Sequence, residues 1–290
     1  MNIPDDAFVL EVGGGNNPNP RSDILVDRYL YDNHERAGGF KIVVDRPMVV
    51  ADGYRLPFAD KAFDYVICSH ILEHMENPKA FLAEVSRVGK AGFIEVPSAL
   101  SERVFGWDFH HWYCEKKGKS LVLRRKKEGE RFGGFFHRLI ARQIWFRRFF
   151  EEHEEKWYVR LEWKDHVNCI VVDEPHINDQ KRSLDRKAWT LLQSARPEFL
   201  KDIQFYVRWM RRRVIRKLKK ELRLLCWKWH CIVRRNRVID DLLRVIICPS
   251  CRRSLTKTTT RLSCSNCHAD YPLDGVIPVL LLAKERRKGY

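Results

Sequence analysis

"FVLEVGGGNNPNPRSDILVD" (Phe8–Asp27) is the stretch on which the fold turns. An apolar run enters three glycines, and a second apolar run leaves them to end in aspartate. A parallel α/β sheet presents a ligand-binding turn in this way, at the C-terminal end of its first strand. A dinucleotide turn would read G-x-G-x-x-G, its third glycine letting the next helix pack on the strand, but that position is Pro18. Pro18 and Pro20 forbid most of a regular helix, and only about ten residues separate Gly13 from the second strand, close to the minimum for a crossover. A nicotinamide cofactor is therefore disfavoured. What remains is an acidic residue, Glu11, and the glycines Gly13, Gly14 and Gly15, which can bring backbone N–H groups close to a ligand.

Outward from this turn the alternation continues. "PMVVAD" (Pro47–Asp52), "FDYVICSH" (Phe63–His70) and "GFIEVP" (Gly92–Pro97) read as the third to fifth strands. Asn77-Pro78 opens a helix whose Phe81, Leu82, Val85 and Val88 share one face, as a sheet-covering helix requires. Asp27 closes the second strand, where a carboxylate can accept ribose hydroxyls, and Asp52 closes the third, where it can face an adenine amino group. From Ser98 the pattern loosens into an aromatic, basic insert. "WYVRLEW" (Trp157–Trp163) and "HVNCIVV" (His166–Val172) then stand two residues apart, a spacing that predicts an antiparallel hairpin.

The string "ADGYRLPFADKAFDYVICSHILEHMENPKAFLAEVSRV" (Ala51–Val88) resembles the class I S-adenosylmethionine-dependent methyltransferases. It combines an Asp after strand three, an "LPF" turn, "FD" entering strand four, "LEH" following it and a helix before strand five. The likeness covers roughly Phe8 to Pro97, and the hairpin at 157–172 looks like the sixth and seventh strands of that fold. The resemblance implies an α/β, Rossmann-like seven-stranded methyltransferase sheet with an antiparallel terminal hairpin. It puts Gly13, Gly14 and Gly15 against the methionine portion of S-adenosyl-L-methionine, with Glu11 near its ammonium group. Asp27 would take the ribose and Asp52 the adenine, with Tyr54 and Leu56 beside that ring and Ser69 and His70 closing the pocket. The family's first helix is nearly absent here, and the amides of Asn16 or Asn17 are placed to replace its N-terminal contacts.

Methyl transfer from a sulfonium is an in-line displacement, which calls for alignment of the nucleophile and exclusion of water. An oxygen nucleophile also calls for a base. The candidates are His70, Glu73, His74 and the pair His110-His111 in "FGWDFHHWYCE" (Phe105–Glu115). The plainer reading packs His70 and His74 against cofactor or helix, and makes the aromatic insert a simple lid. The "GWDFHHW" element (Gly106–Trp112) after "EVPS" also resembles methyltransferases of bacterial surface-glycan assembly.

Nine cysteines raise the question of disulfides, but four fall in "CPSC" and "CSNC", giving C-x2-C-x12-C-x2-C through Cys248, Cys251, Cys264 and Cys267. That spacing is suited to structural Zn2+ in a reducing compartment, with all four ligand positions filled by protein. With its flanks, down to "YPLDGVIP" (Tyr271–Pro278), the module resembles the small zinc-ribbon activator of methyltransferases that act on transfer RNA, ribosomal RNA and release factors. The resemblance implies a module that covers apolar surface on the catalytic fold, here within one chain.

The charge of +16 is concentrated between Lys181 and Val238, where nineteen Lys/Arg meet four Asp/Glu. There Val207, Met210, Val214, Leu218, Leu222, Leu225, Trp229 and Ile232 step by three or four, the signature of a basic amphipathic helix. It can be a structural linker with its stripe packed on the domain, a membrane-surface helix, or a grip on nucleic acid. No run approaches a transmembrane length and the N-terminus lacks a secretory pattern, so the expectation is a cytoplasmic protein, peripheral on the inner face of a membrane where residues 201–238 bind it.

The sequence thus divides into a methyltransferase domain over 1–175 with an insert at about 98–156, a basic helical segment over 176–239 and a zinc ribbon over 240–283. The leading function is O-methylation of a sugar or lipid-linked glycan. Methylation of tRNA, rRNA or a translation protein comes second, and a non-catalytic binding protein on the same fold third.

Overall fold

The computed structural model describes residues 1–32, 39–126, 134–172, 177–258 and 260–286; the side chains of 177–181 and 234–239 are not described, and the expected boundary at 175/176 lies outside this set. Five strands, β1 (Val9–Val12), β2 (Ile24–Asp27), β3 (Met48–Val50), β4 (Phe63–Ser69) and β5 (Gly89–Pro97), run parallel. They are near-continuous apolar runs because a parallel sheet is covered on both faces. Helix α1 (Pro78–Val88) begins where Pro78 sits at its first turn and the Asn77 side chain accepts a hydrogen bond from the Ala80 N–H at 3.1 Å. Its Phe81, Leu82, Val85 and Val88 are buried on the sheet.

The insert is a second core. A short helix α2 (Ala99–Phe105) leads to strands β6 (Trp112–Lys117) and β7 (Ser120–Arg125), an antiparallel pair turned at Gly118 with φ +58. Helices α3 (Phe135–Arg142), α4 (Ile144–Glu152) and α5 (Glu154–Trp157) then pack with α2 around Phe105, Phe146, Phe149 and Trp157. Each of these rings is 3% exposed or less, so the segment packs as a hydrophobic unit and not as an irregular flap.

Strand β8 (Tyr158–Lys164) joins the central sheet antiparallel to β5, giving the order β3-β2-β1-β4-β5-β8. Val159, Leu161 and Trp163 point inward and Arg160, Glu162 and Lys164 outward, the alternation of a one-sided strand. Gly92 makes room for Trp163, since a Cβ there would lie 2.7 Å from the indole and 2.3 Å from the Val66 carbonyl.

The expected hairpin of 157–172 does not form, and among the described residues the central sheet has six strands instead of seven. At Asp165, with φ +65, the chain leaves the sheet, and β9 (Asn168–Val172) pairs parallel with β7 in a separate sheet of order β6-β7-β9. The two-residue gap matches a hairpin only while no other edge is available. The insert supplies one in β7, whose buried Leu121, Val122 and Leu123 align with Cys169, Ile170 and Val171.

Two helices follow, α6 (Ile177–Gln193) and α7 (Phe199–Leu243). At 45 residues α7 is about 67 Å long. It is anchored near its start, where Arg148 of α4 donates to Asp202 at 2.7 Å and Phe205 is buried, and at its end, where Leu242 enters the main core. Midway, Lys220 Nζ reaches the Asn16 carbonyl at 3.2 Å and Arg223 Nε lies 2.8 Å from Asp45 Oδ2, so α7 passes beside the glycine turn. The apolar stripe does not face the domain: Val207, Val214, Leu218, Leu222, Leu225, Trp229 and Ile232 are 50–82% exposed. The linker reading, which needed that stripe packed on the domain, is corrected by this exposure. Among the described residues no helix is long and apolar enough to cross a membrane.

The C-terminal module is a four-stranded antiparallel sheet of β10 (Thr256–Lys257), β11 (Arg261–Ser263), β12 (Asp270–Asp274) and β13 (Ile277–Pro278). It docks on the β3 edge of the central sheet. The Leu280 N–H donates to the Val50 carbonyl at 2.8 Å and the Ile247 N–H to the Pro57 carbonyl at 2.9 Å. Val279 and Leu281 are buried with Leu25, Leu30, Met48 and Val50. An open strand edge is thereby covered by the same chain.

Candidate functional site

A cavity of about 890 Å³ opens at the C-terminal ends of β1, β4 and β5. One end is the glycine turn and the other is an aromatic chamber built by the insert, with Phe105, Trp107, Phe109, Phe150 and Tyr158 in its wall. Sheets of this topology bind ligands beyond the carboxyl ends of their strands, where the connections diverge.

In the turn, Gly13 has φ +76 and Gly15 φ +54, and a Cβ on Gly13 would lie 2.7 Å from Ile71 Cδ1. Both conformation and space therefore require glycine at Gly13. Glu11 is 4% exposed and holds the loop that stands in for a helix: its Oε2 accepts from the Asn19 N–H at 2.8 Å and the Ser22 hydroxyl at 2.7 Å. Burial lifts its pKa above the ordinary carboxylate value, against the pull of Ser22, Asn19 and Arg46.

Of the residues expected to hold the cofactor, Glu11, Gly13, Gly14, Gly15, Asn16, Ser69 and His70 line the cavity. Asp27, Asp52, Tyr54 and Leu56 are not in its wall. Asp27 stands at the end of β2 and accepts the Tyr29 N–H at 3.0 Å. Asp52 accepts the Tyr54 N–H at 2.9 Å and is ion-paired with Arg28, a partner that sequence spacing did not reveal. The Tyr54 hydroxyl accepts from the Asn77 N–H at 3.0 Å, and Leu56 is core at 2% exposure.

His70, with φ +56, stands between two carboxylates, Nδ1 3.4 Å from Glu73 and Nε2 3.4 Å from Glu95. Its ring is open to the cavity. Desolvation opposes its charge, but Glu73 and Glu95 outweigh it and raise the pKa to about 9. His74 is stacked on Phe109 at 5.4 Å and lies edge-on to His110 at 4.8 Å. Burial, reinforced by His110, His111 and His70 and opposed by Glu73, lowers its pKa to about 4.

The neighbouring histidines of the insert part company. His110 is 7% exposed and turns into the chamber, its Nδ1 2.8 Å from Glu102 Oε2, with Trp107 stacked on it at 4.9 Å. His111 is not in the cavity wall; its Nε2 lies 3.5 Å from Glu76. Consecutive residues in extended chain face opposite sides, so only one of the pair can serve the chamber. Glu102, 1% exposed, also accepts the Trp107 N–H at 3.1 Å and pairs with Lys126. Sequence reasoning passed over Glu102, and the signal available was an acid among the apolar residues of "ALSERVF" (Ala99–Phe105). Glu73 Oε, an imidazole nitrogen of His74 and one of His110 lie within 4.8 Å of one another.

The four cysteines also converge, with Cys248 Sγ 3.6 Å from Cys267 Sγ and Cys251 Sγ 3.4 Å from Cys264 Sγ. Tetrahedral zinc bonds of about 2.3 Å would separate sulfurs by about 3.8 Å, so the set fits that ion. Both knuckles are built alike: the Arg252 N–H donates to the Cys248 carbonyl at 2.8 Å and the His268 N–H to the Cys264 carbonyl at 2.9 Å. Arg252 and His268 take the matching φ values of +59 and +55.

A family profile described as a methyltransferase domain matches residues 31–94. The demethylmenaquinone methyltransferase of Corynebacterium urealyticum is 46% identical over 57 residues, 20% of this chain and 24% of that protein. The enzyme of the same name from Renibacterium salmoninarum is 27% identical over 121 residues, 42% of this chain and 49% of its own length. The chain therefore spans between a quarter and a half of these curated relatives. Among solved structures, a complex between the Haloferax volcanii Trm112 methyltransferase activator and a methyltransferase matches at 20% identity and a TM-score of 0.27, over 33% of this chain and 47% of that one, a likeness too slight to bear on function. The profile runs from the β2 exit into β5, inside the 3-2-1-4-5 strand order observed around it, and over that stretch the N-terminal domain is similar to a methyltransferase domain.

Proposed function

We propose that this protein is an S-adenosylmethionine-dependent O-methyltransferase whose acceptor is the hydroxyl of a sugar, free or lipid-linked. The observation that carries the reading is the continuity of one cavity from the glycine turn to the aromatic, histidine-bearing chamber. The methionine half of the donor sits on Gly13 to Gly15, and Asp27 takes the ribose hydroxyls. Ring faces such as Trp107 and Tyr158 stack on the C–H face of a sugar, while Glu95 and His70 meet its hydroxyls. In the transfer the S–CH3 bond breaks as the O–CH3 bond forms, and S-adenosylhomocysteine leaves. The hydroxyl proton passes to the group formed by Glu73, His74 and His110 at the chamber wall.

The exposed stripe of α7 supports an anionic membrane surface as the partner that brings a lipid-linked acceptor. Trp209, Trp227 and Trp229 accompany it, and Arg211 to Arg213, Arg216, Lys217, Lys219 and Lys220 flank it. Two copies of α7 pairing through the stripe would set these cations against one another, whereas acidic headgroups neutralise them. Nucleic acid accounts for the charge but not for the exposed leucines, so tRNA, rRNA or a translation protein is the second reading; the ribbon speaks for it.

Calorimetry of the full chain should show S-adenosylhomocysteine binding that weakens about tenfold or more in Asp27→Ala, the scale of a lost hydrogen bond to a charged group. Release of S-adenosylhomocysteine is then followed with free glycans, lipid-linked glycans and bulk tRNA as acceptors. Turnover confined to tRNA would move the acceptor to the second reading. A folded chain that binds no S-adenosylhomocysteine would sink the enzyme reading itself.

A further inference from the structure

We infer that the cavity contains a divalent-metal site, distinct from the four cysteines, whose ligands are Glu73, His74 and His110. Their ligand atoms already lie within 4.8 Å of one another at the cavity wall. Bonds of about 2.0–2.2 Å from one ion would draw them to about 3–3.5 Å, an adjustment of side chains and not of backbone.

Two further features point to a cation. Glu73 is 1% exposed and both of its carboxylate oxygens are buried without a hydrogen-bond donor, the nearest charge being His70 Nδ1 at 3.4 Å. The His70 ring faces only Oε1 of this carboxylate and is shared with Glu95, so Glu73 retains a buried oxygen, Oε2, that a second cation would satisfy. His110, in turn, is held through Nδ1 by Glu102 at 2.8 Å, which leaves Nε2 as its free ligand atom. A metal-binding imidazole is oriented in this manner by a carboxylate on its other nitrogen. Phe109 stacks on His74 and sets its ring, and the Leu72–His74 turn fixes Glu73 beside it.

Two imidazoles and one carboxylate suit Zn2+, Fe2+, Co2+ or Mn2+, and three protein ligands leave positions open toward the chamber. An ion there would bind the acceptor oxygen and lower its pKa; the three side chains would then serve as ligands in place of the proton-accepting role given them above, and the hydroxyl proton would pass to Glu95 in the cavity wall or to solvent. This extends the proposed reaction, but the site is defined by metal binding alone and does not require that reaction.

The test uses untagged full-length chain, stripped with chelator and reloaded with Co2+. Two equivalents per chain are expected, one with thiolate-to-metal charge-transfer absorption and one with only the weak bands of nitrogen and oxygen ligands. The isosteric Glu73→Gln and the variant His110→Ala should each lose the second equivalent and keep the first. A single, thiolate-type equivalent in the unmodified protein overturns the inference, as does a second equivalent that survives in folded Glu73→Gln. S-adenosylhomocysteine binding, measured in parallel, separates failure of the metal site from failure of the methyltransferase reading.

Discussion

Two apolar stretches in the last third of the chain meet opposite ends. The ribbon's Val279, Leu280 and Leu281 are at most 1% exposed, seated against β3, while Leu218, Leu222 and Leu225 of α7 are 58–62% exposed. Hydrophobic composition does not separate them. The difference lies in what each finds: the ribbon meets an open strand edge with unpaired carbonyls and apolar side chains, and α7 passes the domain on its polar face, through Lys220 and Arg223. One stretch completes a core, and the other stays on the surface.

The largest effect should come from deleting 240–290. This uncovers the β3 edge and removes Leu242, Ile246, Val279 and Leu281 from the buried clusters, so aggregation on expression is expected, measured by gel filtration. A soluble monomeric truncation would erase the contrast. Next, Leu281→Ala should lower unfolding free energy by ~2–5 kcal/mol in chemical denaturation, the usual result of emptying a core leucine site. Chelation of the metal we assign to the cysteines should lower the melting temperature, with the ribbon loosening first and the far-ultraviolet signal of α7 retained.

The smallest change in stability should follow Leu218→Gln, Leu222→Gln or Leu225→Gln, about 0.5 kcal/mol or less each, because these side chains are exposed. The triple variant should nonetheless lose flotation with anionic vesicles. If it unfolds at markedly lower denaturant instead, the stripe has a packing role and the two regions are alike.

Legibility followed the range of the interactions. The strands β1 to β5, helix α1 and the paired knuckles rest on residues a few positions apart, such as Asn77-Pro78 before an apolar face or two Cys-x-x-Cys turns. The cavity combines both kinds. Its glycine turn is local, so Gly13 and Gly15 were readable, whereas the chamber assembles Glu73, His74, Glu102 and His110 from separate elements.

By itself the sequence determined the parallel sheet, its glycine-lined end, the four-cysteine module and the amphipathic basic helix, because periodicity, turn chemistry and ligand spacing are short-range properties. Only the tertiary structure decided that β9 leaves β8 for β7, that His110 and not His111 enters the cavity, that Arg28 engages Asp52, and which face of α7 meets the domain. Each of these is a competition between partners distant in the chain, settled by which edge or charge folding brings within reach.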